Sequence, residues 1–383
     1  MFKVIELSPR LSNILNLSRW LAAFFVLICH LRDLLFVDRH EVAASNLWID
    51  FFYFLTGFGH QSVIIFFIIS GYLIGGKLIA IWNDPLSHFY WTEYLIQRIS
   101  RLYTVYIVAL LLGYALDYFG GLYFNASGLY TLKFTPPIAS MQHSISDQLS
   151  LKIFVYNFFM LQTILAPTLG SNGPLWSLAN EFWYYLLAPL LLNIYCPKTK
   201  FRWLSVLLVL VLSIFLPPVI LSYFFIWLLG AMLVIVPKWP FIFKGAPFCT
   251  LLFTLTVSRL KLVPSLLITD VLIAISFLWL LGTLNQKTRT SQYESLNSTL
   301  ANFSYTLYLS HYPLITFLSA FIYIFNEQAL KAQPNIFNFF IFVNILIFVY
   351  FFSYGLSLIT ERHSHKVRLL LKHCFLPKPS NPH

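Results

Sequence analysis

The sequence has 383 residues, of which 58% are hydrophobic and only 10% are charged, and its formal net charge is +11. Soluble domains carry about 25% charged residues, so this composition excludes an ordinary soluble enzyme, and recurring apolar runs of near-bilayer length predict an all-α, polytopic integral membrane helical bundle. The positive charge does not indicate nucleic acid as a partner, because no soluble segment interleaves basic and aromatic residues.

Hydropathy predicts about ten transmembrane helices, together with an apolar segment at 151–169 that we expect to re-enter the bilayer or lie along its outer surface. Ten crossings with a cytoplasmic N-terminus place 18 of the 25 Lys and Arg residues inside and 7 outside. An eleventh crossing would move the basic clusters at 198–202 and 362–378 outside, against the usual charge bias. Both termini are therefore expected in the cytoplasm. The predicted spans are 16–37, 51–81, 101–123, 175–196, 203–218, 219–236, 241–258, 264–284, 302–325 and 336–360.

The first span contains both Arg19 and His30. Eleven residues of α-helix advance about 16 Å and about three turns, so the two side chains share one helix face. An arginine inside a membrane costs about 2.5–3.5 kcal/mol and usually faces a cavity. Arg19 alone could reach the lipid headgroups, and His30 alone could be a hydrogen-bonded packing residue. Together they favour a polar channel through the bundle.

The stretch FFIISGYLIGGKL at 66–78 partly matches a phosphate-binding loop through its glycines and Lys77. We reject this match, because Leu78 stands where Ser or Thr must bind magnesium and a membrane helix, not a strand, precedes the glycines. Small residues in such a helix favour close helix packing instead. These residues are Ser70, Gly71, Gly75 and Gly76.

The third span opens with QRISRLY, in which Arg98 and Arg101 lie three residues apart. Neighbours at this spacing on a helix can bind one anion together. Two interpretations are open: ordinary anchoring of the helix on the positive side of the membrane, or a site for the phosphate groups of a cytoplasmic cofactor.

Two later spans carry polar residues on one face. Glu181 lies one turn after Ser177 in a helix that we expect to start near Pro174. A carboxylate here needs a partner, which is either an arginine or an imidazole that it orients. In 302–325, Ser304, Tyr308 and His311 form a polar stripe, either for hydrogen bonding between helices or for function.

The end of the last span and the remaining titratable residues suggest no further chemistry. Glu361 stands beside Arg362, and we expect a salt bridge at the helix end. The histidines lack metal-ligand spacing, so no metal site is expected. The cysteines at 29, 196, 249 and 374 show no paired spacing and predict no disulfide framework.

These motifs together resemble the acyltransferase-3 family of membrane acyltransferases. The family's first span, in which ten residues separate an arginine from a histidine, is similar to SRWLAAFFVLICHL. Its second span is similar to VIIFFIISGYLI. QRISRLYTVY resembles the basic opening of the third span. LWSLANEFWYYLLAPLL and FSYTLYLSHYPL resemble two later motifs, and ITERH the closing Glu-Arg-Pro, with His363 in place of proline. The matches run in order from about residue 16 to 363.

The resemblance implies that an acyl group, usually acetyl from acetyl-CoA, is transferred to a hydroxyl of a glycan or lipid-linked sugar at the bacterial inner membrane. His30 would be catalytic, with Arg19 essential beside it and Glu181 supporting the imidazole. The basic motif would bind the CoA phosphates through Arg98 and Arg101, joined by Arg19. Other motif residues would bind substrate, namely Ser70, Trp176, Tyr305 and His311.

Residues 1–363 are accordingly assigned to one membrane-embedded acyltransferase domain and 364–383 to a short cytoplasmic tail. The expected partners are acyl-CoA, the glycan acceptor and membrane lipid, and the choice between monomer and homodimer is left open. The alternative function is a proton-coupled transporter or flippase of a glycan precursor, in which Arg19, His30 and Glu181 relay protons or bind an anion.

Overall fold

The computed structural model describes residues 8–84, 88–131, 143–195, 202–235, 245–284, 294–326 and 330–376. Within these ranges the chain forms fifteen α-helices and no β-strand, which confirms the all-α prediction. The helices are α1 (Pro9–Leu35), α2 (Leu47–Leu55), α3 (Gly59–Ser70), α4 (Gly76–Asn83), α5 (Trp91–Tyr123), α6 (Leu151–Phe158), α7 (Leu175–Tyr195), α8 (Arg202–Phe215), α9 (Pro218–Met232), α10 (Ala246–Arg259), α11 (Leu266–Leu284), α12 (Glu294–Asn302), α13 (Ser304–Phe325), α14 (Ile336–Ile359) and α15 (Ser364–Phe375).

Six helical stretches in the described part of the chain are long and apolar enough to cross a membrane, which confirms a polytopic protein. Two further apolar helices, α8 and α9, are shorter, and α7 and α10 lie at predicted spans. The count of ten crossings therefore stays a prediction. The six stretches are Pro9–Leu35, Leu47–Asn83, Trp91–Tyr123, Leu266–Leu284, Ser304–Phe325 and Ile336–Phe375.

The predicted span 51–81 is a broken helix. It consists of α2, a turn at 56–58, α3, a π-helical turn at Gly71–Gly75 and α4. At the end of α2, the Arg259 guanidinium donates to the carbonyls of Tyr53 and Phe54, at 2.7 and 3.3 Å. Carbonyls freed at a helix end inside a membrane need such donors, because lipid supplies none. The break lets α3 begin beside α1, against which it packs.

The small residues of the second span serve close helix packing, as predicted. A Cβ added to Gly71 would overlap the carbonyl oxygen of Trp227 on α9, and a Cβ added to Gly230 on α9 would overlap the carbonyl of Ile68. The α3 and α9 backbones are therefore in direct contact, a geometry that only glycine permits. Trp227 is fully buried at this contact.

Residues 151–169 do not form a spanning helix. Only α6 is helical, and at eight residues it is about 12 Å long, too short to cross. The chain then turns back, with positive φ at Met160 and Thr163. Asn157 holds the turn: its amide donates to the carbonyls of Ile153 and Pro167, and its side-chain oxygen accepts from Leu169 N–H. The segment therefore lacks a helix of spanning length, and its place at the outer surface stays a prediction.

The loop before α7 is attached to the middle of α13. Pro313 interrupts α13 and has no N–H to offer to the carbonyl of Leu309. The Asn172 side-chain amide donates to that carbonyl instead, at 2.8 Å. The carboxylate of Asp117, buried on α5, accepts from Ser171 N–H at 2.7 Å. These two bonds fix the loop at 170–174 against α5 and α13.

The segment at 364–383, assigned to a tail, contains α15. This helix packs along α5, where Lys372 forms an ion pair with Glu93. The bundle interior is thus bounded by α1, α3, α5, α7 and α13, and α15 lies beside the end of α5 that carries Arg98 and Arg101.

Candidate active site

Three adjoining cavities lie within the bundle, and every predicted site residue except His311 lines at least one of them. The first, called the basic cavity here, has a volume of about 760 Å³. It lies between the start of α5, the end of α14 and the start of α15. Its basic lining residues are Arg19, Lys77, Arg98, Arg101, Arg362, His365 and Arg368.

The middle cavity is the smallest of the three, at about 120 Å³, and mostly apolar. It shares Arg19, Arg98 and Arg101 with the basic cavity. Glu181 is the acidic residue among its described lining residues.

The third cavity, called the histidine cavity here, has a volume of about 550 Å³. It is lined by the loop at 170–174, by the turn after α6, and by α1 and α3, and it shares Val63 and Tyr308 with the middle cavity. His30, His60 and His143 line it, and its described lining residues include no Lys or Arg.

Arg19 and His30 therefore both face the interior, as the helix periodicity predicts, but at different levels. Arg19 lies where the basic and middle cavities meet, and His30 lies in the histidine cavity. The cavities adjoin in the order basic, middle, histidine. The middle cavity thus lies between the guanidinium and the imidazole.

His30 packs against the polar stripe of α13. Its ring centroid is 5.4 Å from that of His311 and 4.9 Å from that of Tyr312. Nδ1 of His30 is buried without a hydrogen-bond partner among the described residues. The ring nitrogen that remains to face the cavity is therefore Nε2.

His311 is almost fully buried and lies outside the lining of all three cavities. Its Nδ1 is 2.8 Å from the Tyr308 carbonyl and 3.2 Å from the Leu307 carbonyl. Because a carbonyl can only accept, Nδ1 carries the proton and Nε2 is a bare acceptor. His311 is thus placed behind His30, not in contact with the cavity where we expected it to bind substrate.

Two side chains hold Glu181 in the middle cavity. The hydroxyl of Ser70 and, at 2.5 Å, that of Tyr185 donate to its carboxylate. Trp227 in turn donates to Ser70 at 3.0 Å. No described arginine lies within ion-pair distance of Glu181, so the alternative of a structural arginine pair is wrong.

The structure also separates Glu181 from His30. Glu181 does not line the histidine cavity, and His30 does not line the middle cavity. The expected support of the His30 imidazole by this carboxylate is therefore not a direct contact. The sequence could not reveal this, because the two residues lie on different helices and no spacing rule connects them.

The other predicted substrate residues are divided between the cavities. Tyr305 lines the middle cavity, and its hydroxyl donates to the Leu102 carbonyl at 3.3 Å. Ser70 also lines the middle cavity, where it serves Glu181. Trp176 lines the histidine cavity, with its ring 6.0 Å from that of Phe67.

The expected salt bridge between Glu361 and Arg362 is not formed. Glu361 instead accepts from the hydroxyl of Thr306 at 3.0 Å, which joins the end of α14 to α13. Arg362 is left to line the basic cavity. Glu361 and Arg362 are adjacent in sequence, so their side chains point in different directions. The Thr306 hydroxyl lies within hydrogen-bond distance of the Glu361 carboxylate.

Sequence analysis missed His60, Asp270 and Asp117. Each is an ionisable residue within a predicted span, which is the signal that identified Arg19 and Glu181. His60 and Asp270 form a pair, with Nε2 of His60 2.9 and 3.0 Å from the two carboxylate oxygens. Asp117 holds the loop that lines the histidine cavity.

The described residues contain no group of three or more His, Cys, Asp or Glu side chains that could hold a metal ion. The site offers a set of cations at one end, a small and mostly apolar cavity in the middle, and an imidazole that lines the other end. Cations bind phosphate groups, and an imidazole with a free ring nitrogen can accept a proton.

Comparisons with known proteins agree with the sequence motifs. The sequence model of the acyltransferase-3 family, described as an acyltransferase domain, matches residues 12–361. Acyltransferase MdmB of Streptomyces mycarofaciens is 28% identical over 184 residues, which cover 48% of this chain. The match spans 40% of that relative's own length. No solved structure matches the chain.

Proposed function

Because this chain belongs to the acyltransferase-3 family, we propose that it is a membrane-bound O-acyltransferase of the bacterial inner membrane. Its donor is acyl-CoA, with acetyl-CoA as the expected form, and its acceptor is a hydroxyl of a cell-surface glycan or lipid-linked sugar. The observation that carries this proposal is the series of three cavities, with clustered cations at one end and His30 at the other.

The basic cavity suits the nucleotide end of the donor. Arg19, Arg98 and Arg101 line it, together with Arg362 and Arg368. Arginine binds phosphate oxygens through paired N–H donors, so several guanidinium groups in one cavity favour a ligand with several phosphate groups. The positive-inside charge bias predicts that this cavity opens to the cytoplasm, where acyl-CoA is made.

The middle cavity suits the arm of the donor. A pantetheine arm is an extended chain with amide groups, and it suits a small, mostly apolar passage with a few polar side chains. Tyr305, Tyr308 and Glu181 line this passage. An arm that follows it from the arginines emerges beside Val63 and Tyr308, where the histidine cavity begins.

His30 then acts as the general base. Its neutral imidazole takes the proton of the acceptor hydroxyl while that oxygen attacks the thioester carbonyl carbon. The new C–O bond forms as the C–S bond breaks, and the proton passes from the imidazolium to the departing thiolate. General-base assistance of this kind contributes about 10²–10⁴-fold. An acyl-histidine intermediate, formed by direct attack of the imidazole, is the alternative route.

The test is His30→Ala, expressed in cells that lack the gene. We expect this variant to insert and accumulate but to abolish acetyl transfer, measured by mass spectrometry of the envelope glycans. Gain of one acyl mass on a glycan in wild-type cells distinguishes transfer from transport, because a transporter leaves the covalent mass unchanged. Continued acetylation by His30→Ala would remove the catalytic role of this residue, and an unchanged glycan mass in wild-type cells would remove the proposed acceptor.

A further inference from the structure

The histidine cavity contains a second imidazole with its own carboxylate. His60 lies at the start of α3 and Asp270 near the start of α11, and they meet across the two helices. One third of the His60 side chain is exposed, whereas none of the Asp270 side chain is. The imidazole therefore faces the cavity, and the carboxylate faces the imidazole.

This pair fixes which ring nitrogen of His60 carries a proton. Both Asp270 oxygens lie within 3.0 Å of Nε2, and an ionised carboxylate can only accept. Nε2 must therefore donate. In a neutral imidazole the other nitrogen, Nδ1, is then a bare acceptor, ready for a donor such as a hydroxyl group.

The burial of Asp270 requires an explanation, because α11 is otherwise one of the most apolar helices of the described chain. Ionisable groups inside a membrane are costly and usually mark a functional site. An ion pair that only joined α3 to α11 would not need one partner open to a cavity. A carboxylate that orients an imidazole, in contrast, fixes which ring nitrogen is free to accept a hydrogen bond from a ligand.

Aromatic rings lie beside the pair. The ring centroid of Tyr223 is 6.5 Å from that of His60 and 5.6 Å from that of Trp176. Trp176 lines the same cavity as His60. An indole is a rigid surface with a large apolar area, which suits the apolar face of a sugar ring, and a nearby acceptor suits one of its hydroxyls.

We propose that His60, oriented by Asp270, binds a hydroxyl of the acceptor sugar in a subsite that it forms with Trp176 beside His30. This proposal rests on the proposed function. The occupant is an uncharged sugar unit, because the cavity offers no Lys or Arg among its described lining residues and the Asp270 carboxylate disfavours an anion. His60 is thus a specificity residue for the acceptor, and Asp270 is a positioning residue.

The experiment uses purified full-length protein in proteoliposomes, with radiolabelled acetyl-CoA and graded amounts of envelope glycan extracted from cells that lack the gene. His60→Gln removes the imidazole but keeps a polar side chain of similar reach. We expect the glycan concentration for half-maximal rate to rise about tenfold, as for loss of one hydrogen bond to substrate, with an unchanged half-saturating concentration of acetyl-CoA. Asp270→Asn should raise the same glycan parameter by a smaller factor.

The matched control is His40→Gln, which removes an exposed imidazole outside all three cavities and should change neither parameter. If His60→Gln lowers only the amount of folded protein, or changes the donor and acceptor parameters equally, the pair is structural and the subsite proposal is wrong. If wild-type protein transfers no label to the glycan, the proposed acceptor is wrong, and the proposed sugar subsite is then wrong as well. Loss of activity in His30→Ala, with a changed acceptor parameter in His60→Gln, would support both.

Discussion

At the scale of single residues, the placement of cations explains how an apolar chain could hold a highly charged donor. Arg19, Arg98 and Arg101 line both the basic and the middle cavity, so they stand where the donor's phosphate end would give way to its arm. Arg368 of α15 lines the basic cavity but not the middle cavity. A phosphate group could accept hydrogen bonds from this guanidinium and from the arginines of α5 at the same time.

This placement gives a prediction for Arg368→Ala. Loss of a charged hydrogen bond to phosphate corresponds to about tenfold in affinity or more. The half-saturating concentration of acetyl-CoA should rise by that factor while the maximal rate stays unchanged, because Arg368 lies far along the cavity series from His30. Steady-state transfer rates at graded acetyl-CoA concentrations measure both quantities.

Lys366→Ala supplies the control for Arg368, since Lys366 is exposed on the same helix and does not line the basic cavity. It removes one positive charge at nearly the same position in the chain. Equal effects of the two substitutions would mean that only the general positive potential matters, and would remove Arg368 from the donor site.

Residue-scale prediction from sequence succeeded where a helix rule applied. The spacing of Arg19 and His30 on one helix predicts that both face the interior, and they do. Relations between helices were not predictable: Glu181 and His30 lie in different cavities, and His60 meets Asp270 from a helix 210 residues away in sequence. Single-sequence periodicity carries no information about which faces of distant helices meet.

At the scale of helices, the glycine contact between α3 and α9 sets the position of the π-helical turn and of Ser70. Backbone contact brings Trp227 next to Ser70, and Ser70 next to Glu181. The middle cavity thus depends on a helix separation that only glycine allows. The sequence predicted the small residues as packing residues, but it could not name α9 as their partner.

Gly71→Ala tests this dependence. Its methyl group would overlap the Trp227 carbonyl, and overpacking of this kind costs about 1–3 kcal/mol. We expect a lower midpoint of thermal unfolding in detergent and a loss of transfer activity, because the helices must separate. Gly355→Ala on α14 is the control: nothing lies within 4 Å of its added Cβ, so stability should be unchanged or should rise by about 0.5–1 kcal/mol. A Gly71→Ala protein as stable and active as wild type would contradict the packing argument.

The segment at 151–169 illustrates the limit of hydropathy at this scale. Its composition resembles a span, yet Asn157 satisfies three backbone groups within the turn and thereby makes a non-helical path possible. Charge bias in the loops predicted that it does not cross, because that rule uses the whole chain. Its local composition contained no such information.

At the scale of the whole molecule, the proposed donor site and the proposed acceptor site lie at opposite ends of the series of three cavities. Such an arrangement would let an acyl group cross most of the bilayer while the nucleotide and the glycan stay on their own sides. Val63 and Tyr308 line both the middle and the histidine cavity, so they mark the junction between the two. Transfer would then require the donor arm to pass this point.

Val63→Phe tests whether the arm uses this passage. The larger ring should fill the junction, since Val63 is buried and lines both cavities. We expect binding of 3′,5′-ADP, the nucleotide end of the donor, to be unchanged by calorimetry, because the basic cavity lies beyond the block. The rate of acetyl transfer should fall at least about tenfold, because a blocked arm cannot bring the thioester into position beside the acceptor.

Val63→Ala separates a block from a general packing defect at this position. Its free energy of unfolding should fall, because the substitution creates a cavity, but by less than the about 2–5 kcal/mol typical of larger truncations. Acetyl transfer should be retained, because the smaller side chain widens the junction. If Val63→Phe transfers acetyl at the wild-type rate while its unfolding midpoint is unchanged, the donor arm reaches His30 by another path. The series of cavities would then not be the route of the acyl group. The placement of Arg19 and His30 in different cavities would need a different explanation.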